Sequence, residues 1–306
     1  MERGMTGTIA SKLATGMRKS IRPGVVKLRD FVQGRPSARM LMAEVSTAEK
    51  LIATGHDPLH AAYTCAQNYL SVFGELAARL PDFAEYRDIV GKAEEAYLPG
   101  WPPMSPVSVS FFTSWALLDQ TIGTSAETIS SVALAVGREF GMPADFAQTI
   151  ETMSESAMGI YEHLGWDDGL LRLRDILDGT VHRCIVPSKH KGKAGELWYV
   201  RLFPPLNSSV VHSVAFTSPY ILVNTKKSDW LAFFERQEAE LPLRLTPEDQ
   251  VKHRKTLLKQ GTDPNYWNEF VFLAYHNATD HAIALWGIPD IPESLAQADL
   301  AMKSKR

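Results

Sequence analysis

The sequence predicts an α+β protein, with a helical bundle in its N-terminal region followed by a small, mostly antiparallel sheet with packed helices. Apolar residues recur every three or four positions over residues 38–178, which is the period of an amphipathic helix. After Gly179 the pattern changes to short runs rich in β-branched and aromatic residues. The links between these runs are too short for helical crossovers, which favours antiparallel neighbours. We therefore divide the chain into a basic arm (1–37), a helical region (38–178) and an α+β region (179–306).

The N-terminal arm differs from the rest of the chain in charge. The first forty residues carry nine lysines and arginines against two acids, a balance of +7, whereas the whole chain has a net charge of −3. Such an arm can contact an anionic ligand, or it can pack as a basic helix on the acidic remainder of the molecule; the sequence leaves both open. Because the apolar stripes begin after residue 38, we expect the arm to be dispensable for folding.

Several helices are predicted in the helical region. Asp57-Pro58 predicts a helix start, because aspartate is a good N-cap and proline fits the first helical position. Apolar residues follow at helical spacing as far as Leu80, and a second helix extends to Pro99. Residues 99–106 contain four prolines and interrupt the helical pattern as a crossover or a domain edge.

The helical pattern continues beyond this interruption. Thr124 and Glu127 predict a capping box at the start of the next helix. Further helices are predicted over 143–164, with a stop at Gly165, and over 170–177. Helices with short connections and one apolar stripe each are typical of a bundle.

The α+β region begins with strands. Four segments have strand composition, and they cover residues 181–186, 197–203, 210–217 and 220–223. Helices are expected to begin at Ser228, at Thr246-Pro247 and at Asp263-Pro264, and residues 282–286 form a last predicted strand.

Composition excludes several classes of protein. The two cysteines are too few for a disulfide-rich secreted scaffold, and the absence of a CxxC pair excludes a zinc knuckle or ribbon. No apolar run approaches the ~20 residues of a membrane span. A net charge of −3 excludes a generally basic nucleic-acid coat. We expect a cytoplasmic protein with neither cofactor nor metal.

The most unusual local composition is that of residues 182–195, which hold four lysines and arginines, two histidines and no acid. Between Val186 and Glu196 this segment connects two predicted strands, and we call residues 186–196 the basic loop. Such a loop can hold a phosphate through ammonium groups and backbone N–H groups, or it can be a solvated hairpin tip. The predicted anion contacts are the four loop cations and an arginine on the next strand: Lys189, His190, Lys191, Lys193 and Arg201. The loop contains no aromatic residue, so the sequence does not indicate stacking of nucleic-acid bases.

Histidines supply weaker candidates. His182 and Cys184 share one face of a predicted strand, but no third group nearby would orient a nucleophilic pair, and we interpret Cys184 as buried and inert. His276 and His281 lie with Asp280 on a helix-to-strand loop, where functional sites are often found. His182, His276 and His281 are therefore the candidate acid–base groups.

His56 and His60 have the i, i+4 spacing of a metal-binding pair. His56 precedes the N-cap, however, and the chain contains no HExxH motif. We interpret both as polar residues at a helix start, without a metal.

Two functions remain open at this point. The chain contains no GxSxG, GxGxxG, SxxK or DFG motif, which favours a non-enzymatic intracellular protein that binds another macromolecule, such as a protein partner. The alternative is an enzyme acting on a phosphate-bearing or other anionic ligand at Lys189–Lys193. A pocket that brings His182 or His276 beside the lysines would favour the enzyme.

Overall fold

A computed structural model describes residues 8–21, 47–97, 106–260, 282–288, 290–291 and 294. The chain divides into two compact units. We call residues 1–92 and 113–155 the helical unit, and residues 93–112 and 156–306 the barrel unit. The helix predicted from Asp263, the crossover at 99–105 and most of the basic arm lie outside the described residues.

Seven helices and one short 3-10 turn (Pro81–Phe83) precede the first strand among the described residues. The helices are α1 (Ile9–Ile21), α2 (Ala48–Ala53), α3 (Pro58–Ala77), α4 (Ala84–Tyr97), α5 (Pro106–Leu118), α6 (Ile129–Glu139) and α7 (Ala144–Glu155).

The start of α3 confirms the prediction from Asp57-Pro58. The Asp57 carboxylate accepts hydrogen bonds from the backbone N–H groups of Leu59 and His60, at 2.9 and 3.1 Å. The predicted stripe is buried over most of its length, and Leu70 in its middle is fully buried. This helix is specified locally, by a cap and one apolar face.

The cap predicted at Thr124 is wrong. Thr128 caps α6 instead, in a box with Ser131. Glu127 has a different partner: its carboxylate accepts hydrogen bonds from the backbone N–H groups of Ile9 and Ala10 at the start of α1, at 2.6 and 3.1 Å. A carboxylate at this position accepts hydrogen bonds from N–H groups that have no partner within the helix, and its negative charge interacts favourably with the positive end of the helix dipole.

Helix α1 packs on the helical unit through Ile9, Ala10 and Ala14, which are buried. Two of its cations form ion pairs within the same unit, Lys12 with Asp82 at 3.6 Å and Arg18 with Glu139. These contacts correspond to the second reading of the arm, a basic helix packed on acidic residues of its own chain.

The predicted helical bundle is not shown by the structure. Helix α6 contacts α1, α3 and α7, but the helices differ in length, from 6 residues in α2 to 20 in α3. Helices α4 and α5 each cross the boundary between the two units. The contacts among the described helices therefore do not establish a bundle of helices around one core.

The helix predicted over 143–164 begins as predicted but is shorter, and the helix predicted over 170–177 is wrong. Helix α7 ends at Glu155, and the chain continues as β1 (Met158–Asp167) and β2 (Leu170–Asp175). Both faces of β1 are largely covered, so its apolar residues do not alternate cleanly with polar ones. An Asp168-Gly169 turn with positive φ at both residues joins the two strands, which is the geometry of a tight hairpin.

Five more strands and two helices complete the barrel unit among the described residues. They are β3 (Val181–Ile185), β4 (Leu197–Phe203), β5 (Ser213–Ala215), β6 (Tyr220–Val223), α8 (Lys227–Ala239), α9 (Pro247–Gln260) and β7 (Ile283–Trp286).

The sheet is a closed five-stranded barrel and not the small antiparallel sheet that the sequence predicted. The strand order is β1-β2-β3-β5-β4, and β4 pairs with β1 to close the barrel. The β3–β5 pair is parallel, and the other four barrel pairs are antiparallel. Strands β6 and β7 extend the sheet from β4. The barrel closes because β1 pairs with β2 on one edge and with β4 on the other. The sequence pattern did not predict β1 or β2 as strands.

The barrel strands bury two sets of side chains. Leu171, Cys184, Trp198 and Val200 belong to the cluster on one side of the barrel wall. The opposite side of β1, β4, β6 and β7 packs against buried aromatic and leucine side chains of α8 and α9. All seven residues of β4 are buried, as expected for a strand covered on both faces.

Candidate functional site

The basic loop is fixed to the end of the barrel by backbone hydrogen bonds. The N–H of Gly195 donates to the carbonyl oxygen of His163 at 2.8 Å, and the N–H of His163 donates to Glu196 at 2.9 Å. At the other end of the loop, the N–H of Lys189 donates to Val186 at 2.9 Å. These hydrogen bonds give both ends of the loop a defined conformation.

The side chain of His163 fixes the middle of the loop. The imidazole is 2% exposed and packs edge-on against Trp198. Its Nδ1 accepts a hydrogen bond from the N–H of Gly165 at 3.0 Å, so Nε2 carries the proton and donates to the carbonyl oxygen of Lys191, also at 3.0 Å. Both ring nitrogens have a structural partner.

Trp166 makes the second contact to the same carbonyl group. Its indole N–H donates to the carbonyl oxygen of Lys191 at 2.8 Å, while the side chain is 44% exposed. A β-bulge between His163 and Trp166 redirects the end of β1 toward the loop. Sequence reasoning missed this residue, because the helix predicted over 143–164 left no strand to carry Trp166 to the loop.

Gly192 lies directly on the barrel core. Its φ is +58°, and an added Cβ would lie 2.5 Å from Cζ2 of the fully buried Trp198. The indole N–H of Trp198 in turn donates to the Glu196 carboxylate at 3.2 Å. The loop backbone is thus packed on a fully buried aromatic side chain.

Three lysines of the loop, Lys189, Lys191 and Lys193, point their side chains into solvent. None of them forms an ion pair with a carboxylate in the part of the chain that the structure describes. Lys189 has a φ of +63°, a region that disfavours residues with a Cβ and is usually occupied by glycine.

Two arginines extend the positive charge onto the barrel wall. Arg172 of β2 and Arg183 of β3 are directly opposite each other in the strand register, so their side chains leave the same face of the sheet. Arg172 is exposed and Arg183 is half-buried, and no described carboxylate forms an ion pair with either. We call Arg172, Arg183 and the three lysines the basic surface. The nearest acids in sequence are Asp175, three residues after Arg172, which is buried, and Glu196, three residues after Lys193, whose carboxylate accepts the hydrogen bond from Trp198.

The other predicted anion contacts are placed differently. The ring of His190 packs against Trp198, with 5.2 Å between ring centroids. Arg201 is fully buried, and its Nη1 donates to the carbonyl oxygen and the hydroxyl of Ser156, at 3.0 and 2.9 Å. Arg201 is opposite Met158 at the far end of β4 from the loop, so we remove it from the set of anion contacts.

Of the three candidate acid–base residues, His182 lies within the described residues. The His182 ring packs edge-on against Tyr161. Burial lowers the pKa of His182, although the negative charge of Asp175 partly offsets this effect. His276 and His281 lie outside the described residues. Burial raises the pKa of the Cys184 thiol to about 12, which makes this cysteine a poor nucleophile.

No three His, Cys, Asp or Glu residues of the described chain are grouped so that they could hold a metal ion. In the same part of the chain, none of the helices is both long enough and apolar enough to cross a membrane. Comparison of the chain with known protein families, curated proteins and solved structures gives no match.

Proposed function

We propose that this protein is a non-enzymatic binding protein that holds an anionic macromolecule on the basic surface. The observation that carries the proposal is the set of five cations, on one wall of the barrel and the loop that follows it, without an ion-pair partner among the described residues. Exposed cations without a carboxylate partner attract a polyanion and release its counterions on binding.

The rigidity of the loop supports binding. The Lys191 carbonyl group accepts two side-chain hydrogen bonds, and Gly192 packs on Trp198. A ligand that binds here does not have to order the loop backbone, so less conformational entropy is lost on association. Only the lysine side chains lose freedom.

The arrangement of the two arginines also supports an anionic ligand. Like charges directly opposite each other on neighbouring strands destabilise a sheet. The Arg172–Arg183 pair carries this unfavourable interaction without an acidic neighbour in ion-pair contact among the described residues. An anion bound to both guanidinium groups would make the net electrostatic interaction at this pair favourable.

The histidines nearest the loop lysines favour binding over catalysis. The imidazole that contacts the loop backbone, that of His163, uses both nitrogens in structural hydrogen bonds. His182 packs on Tyr161 instead. Among the described residues, the alternative of an enzyme acting on an anionic ligand has no comparable observation in its favour.

The test is binding to heparin, a flexible polyanion, measured by titration at several salt concentrations. The variant carries Lys189→Ala, Lys191→Ala and Lys193→Ala. A control of equal charge carries Lys50→Ala, Lys92→Ala and Lys252→Ala, three exposed lysines elsewhere on the chain.

The loop variant should bind heparin at least about tenfold more weakly at low salt and with a smaller salt dependence, because fewer counterions are released. The control should bind as the wild type does. Equal losses in the two variants, or no binding by the wild type, would refute the proposed function.

A further inference from the structure

Trp166 is an exposed tryptophan that contacts a loop whose lysines form no ion pair with a carboxylate among the described residues. Trp166 shows 44% of its surface to solvent, although tryptophan is among the side chains that gain most from burial. Its indole N–H is bound to the Lys191 carbonyl oxygen at 2.8 Å, which fixes the ring. Trp166 is therefore a pre-oriented aromatic surface.

The lysines lie within reach of this surface. Lys191 contributes the carbonyl group that Trp166 contacts, and Lys189 and Lys193 are two residues away on either side. Residues two apart are separated by at most about 7 Å along the chain, and a lysine side chain spans a similar distance. All three ammonium groups can thus approach a ligand that lies on the indole ring.

The backbone at Lys189 gives an independent indication. A side chain in the left-handed region is destabilising, and glycine would avoid this strain. Strained residues that persist in a protein are concentrated at ligand-binding sites. At this position the strain accompanies a cation directed away from the protein.

We infer that the anionic macromolecule is a single-stranded nucleic acid, with a base stacked on Trp166 and its phosphates held by Lys189, Lys191 and Lys193. The inference rests on the proposed function and adds the ligand class. Aromatic stacking with a neighbouring basic track is how proteins bind single strands without reading sequence. In a duplex the bases are already stacked on one another, and an acidic protein segment has no flat π-face of this kind.

The experiment measures fluorescence anisotropy of labelled oligo(dT) and oligo(U) about 15 nucleotides long, a length chosen to exceed most single-strand sites. A duplex of the same length and heparin are the comparison ligands. The variants are Trp166→Ala and Trp166→Phe, and the control is Phe140→Ala, which removes an aromatic side chain of similar exposure from the helical unit.

Trp166→Ala should weaken binding of at least one single strand by roughly 5- to 100-fold, the range for loss of one stacked base. It should weaken heparin binding much less than single-strand binding, because heparin has no base to stack on the ring and loses only the contribution of the Trp166 hydrogen bond to the loop, and Phe140→Ala should change neither. Trp166→Phe should retain most of the single-strand affinity, because it keeps the aromatic face while losing the indole N–H. The triple lysine variant should bind both heparin and the single strands more weakly. For the single strands, the slope of log affinity against log salt concentration should become smaller by about 2.

Each failure has a separate meaning. Equal affinity for duplex and single strands, together with no effect of Trp166→Ala, would overturn the nucleic-acid inference and leave the proposed function standing. Equal loss of heparin and single-strand binding in Trp166→Ala would show that Trp166 only holds the loop, and it would overturn the stacking. A wild-type protein that binds none of these ligands would refute both proposals.

Discussion

Gly192→Ala tests whether the basic loop is packed on the barrel core. The substitution introduces a Cβ at a φ of +58°, which costs about 1–2 kcal/mol for a residue in the left-handed region. The new atom would also lie 2.5 Å from Trp198 and 2.8 Å from the Glu196 carboxylate. Trp198 is fully buried and cannot move aside, so overpacking should add about 1–3 kcal/mol. We expect the free energy of unfolding to fall by about 2–5 kcal/mol.

The loop offers a matched control in Gly195→Ala. Gly195 also has a positive φ, +89°, but an added Cβ there would meet nothing within 4 Å. This variant therefore has the backbone strain without the steric overlap, and it should lose only about 1–2 kcal/mol. Both substitutions restrict the unfolded chain in the same way, so that contribution cancels in the comparison.

The assay is urea-induced unfolding of the two variants and the wild type, followed by circular dichroism, with heparin binding measured in parallel. Gly192→Ala should be less stable than Gly195→Ala by about 1–3 kcal/mol, the overpacking contribution alone. It should also bind heparin more weakly, because the neighbouring carbonyl group of Lys191 must shift. If the two variants were equally stable, the reasoning that the loop rests on Trp198 would be refuted.

Four further predictions concern other parts of the chain. Leu70→Ala should lower the free energy of unfolding by about 2–5 kcal/mol in urea, because Leu70 is fully buried; a much smaller loss would place it outside the core. Glu127→Gln should cost about 1–2 kcal/mol and speed hydrogen exchange in α1, because a charged cap is lost; unchanged exchange would contradict the α1 contact. Burial and the nearby His56 lower the pKa of His60, so the unfolded state binds more protons, and the free energy of unfolding should decrease as pH falls below about 6.5. In urea titrations at pH values from about 7 to 5, His60→Gln should make this decrease smaller. A pH profile identical to that of the wild type would exclude His60 as the source of the decrease. Arg172→Thr should weaken heparin binding without loss of stability by thermal unfolding, because it relieves the repulsion with Arg183; a destabilised variant would indicate a structural role instead.

Some features were predictable because they depend on a few neighbouring residues. The start of α3 follows from Asp57-Pro58, and β4 follows from the run over residues 197–203, which is apolar at every position except Arg201. The basic loop stood out by composition alone. In each case the physical cause, a cap, a buried strand or a cluster of charge, lies within one short segment of chain.

Other features depended on burial that no single segment reveals. Strand β1 has Met158 and Ile160 in one core and Tyr161 in the other, so its apolar residues fit a helical stripe as well as a strand. Pairing with both β2 and β4 decides between them, and these pairings form only when the barrel closes. The sequence likewise predicts that Arg201 is a surface cation. In the structure Arg201 is opposite Met158 and is fully buried.

The candidate site combines both kinds of information. The sequence by itself determined that Lys189, Lys191 and Lys193 share the acid-free segment 182–195, because charge and spacing are properties of the chain. Only the tertiary structure decided that Trp166, 25 residues before Lys191, lies against that loop, and that Arg172 is opposite Arg183. The physical reason is that strand register and a β-bulge place these side chains, and both arise from hydrogen bonds between segments distant in sequence.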